Sequence, residues 1–331
     1  MTQVVEQAPR PQAVAVLSQE RLRSFSQGIA PFLFLILISA VLSAVSEHFL
    51  TVGNILTILL QISVVGILAV GQTMVLITAG VDLSVGGIVG LSGVVSALLI
   101  SSLGLSLGLA LPIAVVVGLL CGLINGLLIT GLNMPPFIAT LGMMGVTRGL
   151  AQVLTGGIAV YDLPASFGWL GNARLLGLPV PVLFLIAAAI VVGIVLRKTP
   201  LGRYTYAIGS NLEAARMSGV NVARQLVKVY MISGGLAGLA GVILASRTTV
   251  GSPTGGEGYE LDAIAACVIG GTSLFGGVGS VLGSVVGAAL MGLIRNGCNL
   301  LNVSTFWQLI VVGVIIWIAV AWDQYRRKRA W

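Results

Sequence analysis

Residues 197–228, RKTPLGRYTYAIGSNLEAARMSGVNVARQLVK, carry six basic side chains (Arg197, Lys198, Arg203, Arg216, Arg224 and Lys228) and a single acid, Glu213. The segment stands between two long apolar runs. How it is read decides the fold, because a lysine- and arginine-rich link between spanning runs marks the cytoplasmic side of a membrane protein. The composition agrees. Of 331 residues, 57% are hydrophobic and 8% charged, with a mean hydropathy of +1.07, whereas soluble domains carry about a quarter charged residues. The chain reads as an all-α integral membrane protein.

Working outward, apolar runs of spanning length fall at 29–46, 57–79, 84–102, 106–130 and 134–155, then at 180–196, 229–246, 259–276, 280–298 and 306–322. That is about ten transmembrane helices. With 197–228 inside, the arm at 1–28 (Arg10, Arg21, Arg23) and the tail at 323–331 (Arg326, Arg327, Lys328, Arg329) also fall inside. Glu47–His48 and the segments 156–179 and 247–258, poor in basic residues, fall outside. The expected organisation is a cytoplasmic arm at 1–28, a membrane domain at 29–322 and a basic tail at 323–331. The arm is long and polar before its first apolar run, which argues against a cleaved secretory signal. Five spans on each side of 156–179 suit a 5+5 duplication with halves of inverted topology. A faint echo accompanies it: Gly80–Gly87 (GVDLSVGG) and Gly270–Gly277 (GGTSLFGG) share three glycines at an offset of 190.

Absences narrow the function. The net charge of +7 is scattered over loop ends, so it reports topology and no nucleic-acid face. Cys121, Cys267 and Cys298 lie far apart in apolar runs, as buried thiols do. The lysines, Lys198, Lys228 and Lys328, never follow a glycine, so this chain holds no phosphate-cradling P-loop. His48 stands alone outside the spans, and no metal-ligand or serine-hydrolase spacing occurs; no cofactor is expected. Two classes remain: a permease driven by a separate ATPase, and a passive channel.

Within the basic link, Asn211 is placed to cap a short helix, Glu213 sits in its first turn where the dipole favours an acid, and Gly219 can stop it. Ala214 and Ala215 leave a shallow face beside Arg216 and Ser218. Such a helix can dock a motor subunit or lie on anionic headgroups. The residues alone leave both open.

Five blocks then carry a resemblance: LGRYTYAIGSNLEAARMSGVNV (Leu201–Val222), AVGQTMVLITAGVDLSVGG (Ala69–Gly87), PPFIATLGMMGVTRGL (Pro135–Leu150), GYELDAIAACVIGGTSLFGGVGS (Gly258–Ser280) and NLLNVSTFWQLIVVG (Asn299–Gly313). Together they resemble the permease subunits of ribose-type monosaccharide ATP-binding-cassette (ABC) importers, over nearly all of the chain after residue 29. The resemblance implies a fold related to that of the vitamin-B12-type importers and a bacterial inner-membrane location with both termini cytoplasmic. It implies three partners besides the bilayer: a second permease copy or related permease, a cytoplasmic tandem-domain ATPase that binds the ATP, and a periplasmic sugar-binding protein. It makes 211–219 the ATPase-coupling helix. The related branched-chain amino-acid permeases compete, but GVDLSVGG and GYELDAIAA look more like the sugar branch. Gly276–Ser280 is uncharged where such permeases often carry a basic residue, which puts a second basic contact there in doubt.

Five charged residues within or beside spans need an explanation. Asp82 reads as a gate or structural pin at a broken helix, accepting freed backbone N–H groups. Arg148 needs a partner, with Asp82 or backbone carbonyls expected, and Arg295 raises the same question beside Asn296 and Asn299. Glu260 and Asp262 open the eighth span at its outer end. Their i, i+2 spacing puts them on different faces, one to support the helix start and the other to meet the binding protein.

Overall fold

The computed structural model describes residues 31–328. The arm at 1–28 and Arg329 lie outside the described residues, as do the side chains of the tail from Arg326 onward. The described residues are mostly helical: α1 (Pro31–Val45), α2 (Val52–Ile77), α3 (Val85–Ser101), α4 (Leu107–Gly131), α5 (Pro136–Thr155), the short α6 (Trp169–Asn172), α7 (Val180–Lys198), α8 (Pro200–Ser210), α9 (Leu212–Met217), α10 (Val222–Thr248), α11 (Tyr259–Ile269), α12 (Val281–Leu300) and α13 (Thr305–Lys328). Strands β1 (Arg174–Leu175) and β2 (Leu178–Pro179) form a hairpin, its two-residue turn made by Leu176 and Gly177, both at positive φ.

Seven helices (α2, α4, α5, α7, α10, α12 and α13) are long and apolar enough to cross a membrane, and α1 and α3 are shorter apolar helices. The protein is a multi-pass, all-α membrane protein. Every expected apolar run falls on a helix, but several boundaries move. The eighth run helices only over α11, whose eleven residues reach about 16 Å, half the hydrocarbon thickness. Beyond Ile269 the chain needs positive φ at Gly271, Gly276 and Gly277, and leaves the helix. The last helix continues through Lys328, so the tail is not a separate element from residue 323.

Helix α10 is the axis. In its most apolar window 72% of residues are buried, against 28% in α4 and 11% in α13, which turn outward. Glycines set the closest approach: at the α4–α10 crossing, a Cβ on Gly118 would strike the Gly234 carbonyl and one on Gly122 the Tyr230 carbonyl. Small residues four apart let two backbones touch, which is how helices gain contact area where the surrounding solvent is itself oil.

The links 78–84, 132–135, 199–221 and 270–280 gather at one end of the bundle, called here the basic end. Gly277 N–H donates to the Ile77 carbonyl at 2.9 Å, and a Cβ on Gly209 would strike that same carbonyl. Gly276, in the second segment of the glycine echo, likewise lies against Ala79, just before the first.

Candidate functional site

The basic link folds as two helices, not one. Thr199 caps α8, whose first residue is Pro200. Asn211 caps α9, its side-chain oxygen accepting from Ala214 N–H at 2.9 Å. Glu213 pairs with Arg216 at 3.2 Å on the exposed surface, a contact that adds a few tenths of a kcal/mol. Ser218 donates to the Ala214 carbonyl at 2.8 Å, and Gly219 turns at φ +81°. One expectation needs correction. Ala215 is 5% exposed, packed inward with Ile208 and Val222, so it offers nothing to a partner. The outward face is Leu212, Glu213, Ala214, Arg216 and Met217, with Met217 89% exposed.

Several bonds fix this pair of helices to the bundle. Gln225 on α10 donates to the Leu201 carbonyl at 2.6 Å and to the Thr205 hydroxyl at 3.0 Å. The Tyr206 hydroxyl donates to the Gly279 carbonyl at 2.8 Å. Burial pushes the Tyr206 phenol up, against a smaller opposing pull from Arg197, so it remains a donor at neutral pH. These bonds tie α8 to the start of α10 and to the 270–280 link.

Asp82 lies in the 78–84 link, fully buried. Its Oδ1 accepts from Ser84 N–H at 3.0 Å and the Ser84 hydroxyl at 2.5 Å, and its Oδ2 from the Ser233 hydroxyl at 3.1 Å. Asn125 donates to the Ser84 hydroxyl at 2.9 Å. The Gln72 amide, oriented to satisfy both its polar atoms, accepts from Asp82 N–H at 3.2 Å and donates to the Asp82 carbonyl at 3.3 Å. Asp82 thus joins α2, α3, α4 and α10 at the break between α2 and α3. The sequence reading passed over Gln72, Asn125 and Ser233; the available signal was a polar side chain inside an otherwise apolar run.

Arg148 does not meet Asp82. It pairs with Glu260 at 2.9 Å, while Arg295 forks onto both oxygens of Asp262, at 2.8 and 2.6 Å. The two carboxylates in the first turn of α11 face α5 and α12 respectively, as their spacing requires. Glu260 is 8% exposed and Asp262 1%, so neither has the free surface that a contact with a binding protein needs. Asn296 exchanges two amide hydrogen bonds with Asn54, at 2.6 and 3.1 Å, and the Asn299 side-chain Oδ1 accepts from Gln308 at 2.8 Å. Among the described residues no group of His, Cys, Asp and Glu could hold a metal ion.

Comparison with known proteins places these features in a family. The model of the branched-chain amino acid transport system / permease component family matches residues 54–320. The ribose import permease of Bacillus subtilis (strain 168) is 47% identical over 306 residues, covering 92% of this chain and 94% of that protein. The ribose import permease of Escherichia coli (strain K12) is 41% identical over 297 residues, 88% and 92% of the two chains. The D-allose transport system permease of the same organism is 40% identical over 298 residues, 90% and 91%. No solved structure matches the chain.

Proposed function

The chain belongs to this family of transport-system permeases, and from that premise we propose that it is the membrane subunit of an ABC importer for a monosaccharide. The observation that carries the reading is the 47% identity with a ribose import permease across 92% of the chain; the family model's own description names amino acids, but the relatives named above are sugar permeases. It is a transport subunit and leaves ATP hydrolysis to a tandem-domain ATPase. A periplasmic binding protein delivers the sugar, and a second permease copy or a related permease completes the path. The location is the bacterial inner membrane with the basic end and both termini cytoplasmic, which the positive residues of 197–228 support. Ten crossings, nine of them apolar helices and one the half-length α11 with its link, fit a fold related to the vitamin-B12-type permeases. The Asp82 network and the Arg148–Glu260 pair hold the broken segments in place, while α9 couples to the ATPase.

The test is reconstitution of permease, ATPase and binding protein in proteoliposomes, with D-ribose, D-allose and L-arabinose as cargo. ATP-dependent uptake of at least one sugar is expected; sugar that equilibrates equally fast without ATP would mark a passive channel instead. Coupling is tested at the outward face. Met217→Asp puts a carboxylate where a docking cleft would exclude water, which costs about 3 kcal/mol or more, a weakening of association of at least a hundredfold. The variant permease should keep its Tm, because Met217 touches little of its own chain. Ala215→Asp should instead lower the permease Tm, because that position is internal. Normal ATPase co-purification and uptake with Met217→Asp would reduce α9 to a surface anchor.

A further inference from the structure

The end of the bundle opposite the basic end carries an apolar surface that the account above does not use. The β1–β2 hairpin pairs Leu175 with Leu178, so these two side chains share one face. Both are exposed, and Leu176 at the tip is 97% exposed. The tip is unusual in a second way. Its central pair, Leu176 and Gly177, takes positive φ at both positions, +53° and +81°. Such a turn favours Asn-Gly or Asp-Gly, because a larger side chain crowds its own backbone there. Asparagine would suit both the turn and water, yet the position holds a leucine.

The helices set the depth of this surface. The hairpin runs straight into α7, whose 19 residues end on Arg197 and Lys198 and extend about 28 Å, close to the hydrocarbon thickness. On α10, Lys228 and Arg247 are also 19 positions apart. A Cβ on Gly171, just before the hairpin, would strike the Arg247 backbone. Both measures put 171–179 level with the far edge of the hydrocarbon. Neighbouring α2 reaches farther. Leu185 of α7 lies against Gly66 of α2, and from there α2 runs back to Val52 but α7 only to Val180. That difference raises the Glu47–His48 link above the hairpin by more than about 10 Å.

We propose that the 174–179 hairpin is an interfacial anchor, with Leu175, Leu176 and Leu178 in the acyl boundary of the leaflet opposite the basic end and Arg174 on its headgroup phosphates. Depth and position choose lipid over a soluble partner. The hairpin continues the outward stripe of α7, where Ile186, Ile190 and Ile194 are exposed at lipid level. Trp169 on α6, packed against α7, is exposed beside it, as aromatic side chains are at a membrane boundary. Arg174 is exposed and makes no salt bridge among the described residues, so its charge is free for a phosphate. Apolar tips flanked by a cation are how segments lie in an interface without spanning it.

The experiment measures spin-label depth on the full-length permease in liposomes of phosphatidylcholine and phosphatidylglycerol. Cys298→Ser removes the one cysteine that is not buried. A nitroxide is then placed at Leu176→Cys, with Ile190→Cys as the lipid control and Glu47→Cys as the water control. Its relaxation by oxygen, which concentrates among acyl chains, is compared with relaxation by a water-soluble nickel chelate. Position 176 should read about 5–10 Å into the boundary. Leu176→Asn suits the turn and keeps the fold, and in that variant a label at Leu175→Cys should move toward the Glu47 reading. Nickel-dominated relaxation at 176, or an unmoved 175 label in Leu176→Asn, overturns the proposal. So does immobilisation of the 176 label when the importer's binding protein is added, which would make the hairpin a protein-docking surface. Spin–spin broadening between two labelled copies would assign it to a permease–permease contact and overturn it equally.

Discussion

Arg295→Met is expected to destabilise the permease by about 3–5 kcal/mol, the cost of leaving a buried carboxylate without its partner. Both Asp262 oxygens receive hydrogen bonds from Arg295 Nη2, and the Asp262 side chain is 1% exposed. Methionine has the length to fill the space but no charge. The apparent Tm in detergent should fall by more than about 5 °C. A second substitution separates charge from packing. In Arg295→Met/Asp262→Leu no charge remains buried, so most of the loss should be recovered, as replacement of buried ion pairs by apolar groups is often neutral. If the double variant is no better than the single one, the pair is not what holds α11 against α12. Arg148→Met should cost less, because a third of the Arg148 side chain is exposed.

The membrane class and the placing of the helices were legible because a spanning helix must be written as a continuous apolar run, and burial in lipid leaves little room for another pattern. The capping of α9 by Asn211 was legible for a similar reason: a cap is a local interaction over three residues. The half-length of α11 was less so, since Gly270 and Gly271 follow Ile269 without any loss of apolar character, and hydropathy does not register the change to positive φ. Pairings across the bundle were not legible at all. Arg148 meets Glu260 across 112 residues and Ser233 meets Asp82 across 151, and a single sequence contains no signal linking such positions. Charge alone suggested Arg148 with Asp82, but each found a different partner. The inward turn of Ala215 has the same origin. An alanine pair reads identically whichever face it covers, and only Ile208 and Val222 decide which member is buried.

Backbone contacts also join α8 to the link that carries Asp82. Gly209 lies against the end of α2, Gly277 N–H bonds the Ile77 carbonyl, and Gly276 lies against Ala79. These are backbone-to-backbone contacts. At these points no long side chain separates the backbones. From Ala79 the chain runs three residues to Asp82, which reaches α10 through Ser233.

That argument makes the α4–α10 crossing the place where one added side chain should do most harm, and Gly122→Leu is expected to abolish the folded permease. A Cβ at Gly122 would strike the Tyr230 carbonyl, with Met231 Cα 2.9 Å away, and neither is a side-chain tip that can swing aside. Relieving the overlap means separating two helices that also touch at Gly118–Gly234 and Gly126–Val227, so the loss extends along the whole seam. Overpacking of this kind typically costs 1–3 kcal/mol in a core that can relax, and more where backbone must move. The control is Gly313→Leu in α13, where a Cβ meets nothing within 4 Å. Both changes replace glycine by a better helix former and make a span more apolar, which favours insertion. Any difference between them therefore belongs to packing. Gly313→Leu should purify as a monodisperse permease with normal uptake. Gly122→Leu should be inserted but aggregate or be degraded, and at reduced expression show no sugar uptake even with ATPase and binding protein in excess. A monodisperse, transporting Gly122→Leu variant would mean that α4 and α10 are held apart by something other than these glycines.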